Sequence, residues 1–160
     1  MNISVIIPVY NEVKNINEII KRVQTTKLAS EIVIVDDGSQ DGTRDILQTL
    51  NGKKKVRVIL HEKNQGKGAA VVTGMKAAKG EILLIQDADL EYDPRDYPLL
   101  LKPLQEGVAD VVYGSRFLGG SHRVTMFWHQ VANKLLTLMT NILYDSILTD
   151  METGYKVFNR

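Results

Sequence analysis

The sequence predicts an α/β domain: a mostly parallel, doubly wound sheet packed between two helical layers. Two observations carry that expectation. Short apolar runs alternate with amphipathic stretches along the chain. Acid-rich polar clusters follow three of those runs, at the carboxyl edge where open α/β sheets hold ligands. No internal repeat, low-complexity tract or linker divides the 160 residues, enough for one domain with a real core.

Each element has its own justification. Ile3–Ile7 is an apolar first strand. Glu12–Thr26 reads as a helix because Val13, Ile16, Ile19, Ile20 and Val23 recur on one face. Asn11 suits its N-cap, and Glu12 its positive end. Glu31–Val35 is the second strand, and Asp41–Leu50 a helix closed by Asn51-Gly52. Val56–His61, punctuated by charge, is an edge-like third strand. Gly68–Lys79 is an Ala-rich helix ending at Gly80, and Glu81–Gln86 is the most apolar strand. Pro94–Glu106 is helical but broken, since Pro98 and Pro103 fall inside the pattern. Val108–Gly114 is the fifth strand. Trp128, Val131, Leu135, Leu138, Met139 and Ile142 recur at helical spacing, which fits a core or partner-docking face better than a lipid-facing one. The closing Tyr155–Arg160 segment resembles one more strand.

Composition narrows the function. Hydrophobic residues make up 44%, charged residues 24%, and the net charge is +1, so no nucleic-acid partner is expected. The one run of three basic residues, Lys53-Lys54-Lys55, reads as a solvated turn. The chain has no cysteine, which excludes disulfides, thiolate metal sites and a cysteine nucleophile. No signal peptide is evident, and the longest uncharged apolar-rich run, Leu135 to Tyr144, is about half a membrane span. A cytoplasmic protein is expected.

The most informative stretch is Ile82-Leu83-Leu84-Ile85-Gln86-Asp87-Ala88-Asp89. A buried strand ends in two carboxylates that extended backbone sends to one side. Such acids repel unless a positive charge lies between them, and a divalent cation carrying a phosphate-rich ligand answers that need. Glu91 keeps the same parity and is a candidate third oxygen ligand. Asp36-Asp37-Gly38-Ser39 ends the second strand; it is either a capped turn or a place where Asp37 accepts bonds from a base or ribose. Asn64-Gln65-Gly66-Lys67-Gly68 opens a helix, so glycine backbone, helix N-terminus and Lys67 together suit a diphosphate. A Gly-rich turn with a solvated lysine is the alternative, and Walker A spacing is missing. Gly114-Ser115-Arg116 brings a phosphate-gripping cation to the same rim, with His122 and Arg123 beyond it. Asp150 and Glu152 are candidate general bases or acceptor contacts.

Pro8-Val9-Tyr10-Asn11-Glu12, Asp36-Asp37-Gly38-Ser39 with Asp41-Gly42-Thr43, Asn64-Gln65-Gly66-Lys67-Gly68, Asp87-Ala88-Asp89 and Gly114-Ser115-Arg116, in that order, resemble the family-2 glycosyltransferases of GT-A fold. The branch they resemble contains dolichol-phosphate mannosyltransferase and bacterial polyprenyl-phosphate glycosyltransferases. The resemblance implies a Rossmann-like three-layer αβα sandwich and an inverting transferase using Mg²⁺ or Mn²⁺. The implied donor is a nucleotide-diphosphate sugar of UDP-glucose or GDP-mannose type. The implied acceptor is a polyprenyl or dolichyl phosphate at the inner membrane face, or else a saccharide hydroxyl. By the same resemblance, Pro8, Tyr10, Glu12, Asp37, Lys67, Asp87, Ala88 and Asp89 bind the donor. Asp87, Asp89 and Glu91 hold the metal, Glu91 standing where this branch often has Gln. Asp150, Glu152 and Arg116 serve catalysis on the acceptor side. Residues 1–160 are then one GT-A domain whose acceptor side is expected to be cut short. Two other readings stand beside it, a donor-binding module without activity and a sugar-nucleotidyltransferase. The latter calls for a Gly-rich basic loop where Pro8-Val9-Tyr10-Asn11-Glu12 stands.

Overall fold

The computed structural model describes residues 1–115 and 127–160, apart from the side chains of residues 127 and 129. Its sheet has six strands: β1 (Ile3–Val9), β2 (Glu31–Asp36), β3 (Val56–Leu60), β4 (Ile82–Ile85), β5 (Val111–Tyr113) and β6 (Lys156–Asn159). They lie in the order β3-β2-β1-β4-β6-β5. The helices are α1 (Ile16–Thr25), α2 (Thr43–Leu50), α3 (Lys67–Ala77), α4 (Tyr97–Gln105) and α5 (Phe127–Tyr144), with a 3₁₀ turn at Pro94–Asp96.

Every residue of β1 and β4 is buried, as expected of central parallel strands covered on both faces. Val5 lies between Ile32 of β2 and Leu84 of β4. On one face α1 contributes Ile16, Ile19, Ile20 and Val23, and α4 adds Tyr97, Leu100, Leu101 and Leu104. On the other, Ile6, Val33, Val35 and Leu83 pack with Ala70 of α3 and Ala78 just beyond it. The Ala-rich composition of α3 has a steric cause: a Cβ at Gly74 would run into Ile6 Cγ2.

The sheet departs from the purely parallel pattern at one place. β6 inserts between β4 and β5 and runs antiparallel to both, with Val157 opposite Leu84 and Val112. Strands β4 and β5 therefore point the same way, and Gly114 reaches the same rim as Asp87.

Two local expectations are corrected and a third is sharpened. The first helix begins at Ile16, and ahead of it the N–H groups of Asn11, Glu12 and Val13 are taken by the side chains of Ser39, Thr43 and Asp41. Asn11, at φ +55°, does not cap it; its side chain accepts from the Gln40 N–H and straps two rim loops together. The proline-bearing helix is broken as expected, with the break ahead of Pro98 at the 3₁₀ turn and Pro103 carried inside α4. Finally, the α5 stripe is not core. Trp128 is 75% exposed and Ile142 71%, with Leu135, Leu138 and Met139 also outside, while Asn133 and Thr137 face inward.

Replacing Gly74 with Val should destabilise the fold by about 2 kcal/mol through overpacking against Ile6. Urea denaturation checks this; an unchanged midpoint contradicts the close packing of α3 on β1.

Candidate active site

A cleft of about 260 Å³ opens at the carboxyl ends of β1, β2 and β4. Pro8, Val9, Tyr10 and Glu12 line it from the β1 end, Asp37 from β2, Asn64, Lys67 and Ala70 from the third loop and α3, and Asp87, Ala88 and Asp89 from β4. All eight donor-side residues expected from the sequence thus share one cavity. Glu91 is exposed and its N–H donates to Asp89 Oδ1. Among the described residues no three acids or histidines converge on one metal position, so Asp87, Asp89 and Glu91 do not form a ready three-acid cluster.

The rim acids have distinct duties. Asp36 is fully buried and pairs with Arg44 at 2.7 Å, so it braces the turn and stays out of the cleft. Asp37 holds the Asn64–Gly66 loop in place. Its carboxylate accepts from the Gln65 and Gly66 N–H groups at 3.0 and 2.8 Å, and His61 Nδ1 lies 2.7 Å away. Burial pushes the Asp37 carboxyl up, but the bonds from His61, Gln65 and Gly66 outweigh it and hold the group below its ordinary value. Ionised Asp37 can only accept, so His61 carries its proton on Nδ1. Nε2 of the same ring meets the Thr73 hydroxyl at 3.0 Å. Gly38 lies against the same loop, at φ +81°, where a Cβ would strike the Asn64 backbone.

Asp87 is fixed from below and from both sides. Gln86, fully buried, donates to the Asp87 and Tyr92 carbonyls and accepts from the hydroxyls of Tyr97 and Tyr155. Burial raises both tyrosines above the ordinary phenol value, so they remain protonated donors. Lys67 Nζ lies 2.7 Å from Asp87 Oδ1, and a side chain on Gly154 would collide with Asp87 Oδ2. Asp87 already pairs with one cation, the Lys67 ammonium, and Asp89 lines the same cleft, so the two carboxylates fit a divalent ion that also takes ligand oxygens.

The acceptor-side candidates lie elsewhere. Asp150 is buried and accepts from Asn133 Nδ2 at 2.8 Å, tying α5 to the loop before β6. Glu152 is exposed in that loop, and neither acid lines the cleft. Arg116, His122 and Arg123 lie outside the described residues. Sequence reasoning missed His61, Gln86, Tyr155 and Lys156. Lys156 sits at the rim end of β6, with Nζ 5.2 Å from the Tyr113 ring centre. Burial lowers its ammonium below the ordinary value and the Lys67 charge adds to this, while Asp87, Asp150 and Glu152 oppose it. A polar residue directly before Asp87 and a cation directly after Tyr155 were the available signals.

Asp37→Asn should cost about 2 kcal/mol of stability at neutral pH by disrupting the bonds to the loop. The folded value of Asp37 lies below its unfolded value, so its contribution is complete above about pH 4 and fades as pH falls through the folded value. Urea titrations across pH should show the wild-type advantage shrinking in acid; a gap independent of pH contradicts this role.

Comparison with known proteins agrees with this geometry. The sequence profile described as "Glycosyl transferase family 2" matches residues 4–160. A dolichol-phosphate mannosyltransferase of Pyrococcus furiosus is 38% identical over 160 residues, covering 97% of this chain and 45% of that protein. An undecaprenyl-phosphate 4-deoxy-4-formamido-L-arabinose transferase of Pseudomonas aeruginosa is 35% identical over 143 residues, covering 85% and 40%. The chain thus spans less than half the length of these two relatives. Among solved structures, a glucosyl-3-phosphoglycerate synthase of Mycobacterium tuberculosis, in complex with Mn²⁺, UDP and phosphoglyceric acid, superposes with a TM-score of 0.75. It is 23% identical, and the match covers 99% of this chain and 55% of that one, a likeness of fold. The GT-A architecture expected from the sequence is therefore present, and the chain belongs to glycosyl transferase family 2.

Proposed function

We propose that this chain carries the donor site of an inverting, metal-dependent transferase. It moves a hexose from a nucleotide-diphosphate sugar, of UDP-glucose or GDP-mannose type, to a polyprenyl or dolichyl phosphate. The observation that carries the reading is the single cleft that joins Tyr10 and Asp37 to Lys67, Asp87 and Asp89. An aromatic ring and a carboxylate suit a nucleoside, and a helix-opening lysine beside two acids suits a metal-bound diphosphate. The names of the relatives support a lipid-phosphate acceptor, and one structural neighbour was crystallised with Mn²⁺ and UDP.

The chemistry follows from charge. Breaking the sugar–phosphate bond leaves a nucleoside diphosphate with growing negative charge. A divalent cation held by Asp87 and Asp89 would neutralise part of that charge. Lys67 offers a mobile cation from the first turn of α3, whose N-terminus adds its own positive end. Arg116 is assigned to the acceptor phosphate or leaving group. A phosphate acceptor has a second pKa of about 6 and is already nucleophilic, so it needs no general base from Asp150 or Glu152.

The exposed apolar stripe of α5 favours the lipid acceptor over a free saccharide. The inward face of that helix grips Asp150, while Trp128, Leu135 and Ile142 point away from the protein. Among the described residues no helix is long and apolar enough to cross a membrane, so we assign α5 to lie along a membrane surface with the protein peripheral to it.

Asp89→Ala should lower transfer from the nucleotide sugar to polyprenyl phosphate at least about a hundredfold, the scale of losing one preorganised charge-stabilising group. A radiolabelled-sugar assay in mixed micelles reads this; full activity without Asp89 contradicts the metal assignment. Replacing Leu135 and Ile142 together with Asp should abolish sedimentation with anionic vesicles and leave nucleotide binding intact. Unchanged vesicle binding contradicts the surface assignment of α5.

A further inference from the structure

We propose that Lys67 is an exchangeable counter-ion of Asp87, so that the divalent cation enters this site with the nucleotide rather than ahead of it. The proposal rests on the donor-site reading above and adds an order of binding to it.

Three observations carry it. Lys67 Nζ lies 2.7 Å from Asp87 Oδ1, where an incoming cation would bind. Oδ2 of the same carboxylate faces Gly154, so closely that no side chain fits there. Oδ1 is thus the oxygen through which Asp87 meets the cleft, and Lys67 covers it. Among the described residues no third acid or histidine joins Asp87 and Asp89 to complete a metal position, which leaves room for phosphate oxygens of a nucleotide as further ligands.

Charge bookkeeping gives the order. Asp87, Asp89 and Lys67 sum to one net negative charge, too little to draw a divalent cation strongly. A diphosphate changes that balance. It offers oxygens to the metal and a competing anion to the lysine. The Lys67 side chain is 59% exposed, so its ammonium can swing from Asp87 onto a phosphate without disturbing the core. Asp87 itself is only 13% exposed and stays where Gln86 and Gly154 hold it. The same lysine thus neutralises Asp87 in the empty site and the diphosphate in the loaded one. Metal and nucleotide then raise each other's affinity by one shared factor.

The test measures Mn²⁺ binding by electron paramagnetic resonance, with MnCl₂ alone and with UDP or GDP added. Wild type, Lys67→Gln and Lys156→Gln are compared. Lys67→Gln should bind Mn²⁺ alone about three- to fivefold more tightly, the size that a partly exposed ion pair supports. The enhancement of Mn²⁺ affinity by nucleotide should shrink in the same variant. Lys156 lies within electrostatic reach of Asp87 without bonding to it, so its variant should show a smaller gain. Unchanged or weaker Mn²⁺ binding in Lys67→Gln overturns the counter-ion role, as does an equal gain in Lys156→Gln. If wild type binds no Mn²⁺ even with either nucleotide, the donor-site reading falls as well.

Discussion

Carboxylates gathered at one rim of a parallel sheet repel one another, and the architecture of this protein is organised around offsetting that repulsion. Arg44 neutralises Asp36, and backbone N–H groups with His61 hold Asp37. Asp41 accepts from the Val13 and Thr43 N–H groups. Lys67 covers Asp87. Apart from Thr43, each partner comes from a segment other than the acid's own, so the pairs that quiet the charge also tie the rim loops to one another. A loop network held this way is rigid where a nucleoside would rest and leaves a movable charge, the exposed Lys67, where a diphosphate would arrive.

The fixed acids and the movable lysine divide the work. Gln86 shows how the fixed part is made. Its amide group is satisfied by two carbonyls and two tyrosine hydroxyls, in a site where an unpaired polar atom would cost about 1–3 kcal/mol. Those tyrosines come from α4 and from just before β6, so the backbone beneath Asp87 is clamped to both of those elements. Gly154 completes the clamp, because its N–H donates to Tyr92 and its missing side chain leaves room for Asp87. The loop that bears Asp150 and Glu152 is therefore built directly onto Asp87, the carboxylate we assign to the donor.

Much of this was legible in the residues. Largely apolar runs at Ile3–Ile7 and Ile82–Ile85 announce buried parallel strands, and the polar segment after each run falls on one rim as the strand direction requires. The antiparallel insertion of β6 was not legible, since four residues at the end of a chain carry no signal of which neighbours they pair with. The start of α1 was misplaced because Asn11 takes φ +55° and side chains far away in sequence, Ser39, Asp41 and Thr43, hold residues 11–13 ahead of the helix. Helical spacing in α5 identified a face but not its direction; Asn133 and Thr137 turn inward because buried Asp150 needs a donor. Local pattern gives periodicity, and tertiary hydrogen bonding decides which face goes inside.

The central claim is that the rim of β1, β2 and β4 is a metal-assisted nucleotide-diphosphate site. A crystal structure of the protein with UDP or GDP and Mn²⁺ tests it most directly. The account predicts anomalous Mn²⁺ density between Asp87, Asp89 and the diphosphate, the base between Tyr10 and Asp37, and Lys67 moved from Asp87 onto a phosphate oxygen. Nucleotide bound outside this cleft, or Lys67 still paired with Asp87 beside a bound diphosphate, would contradict it.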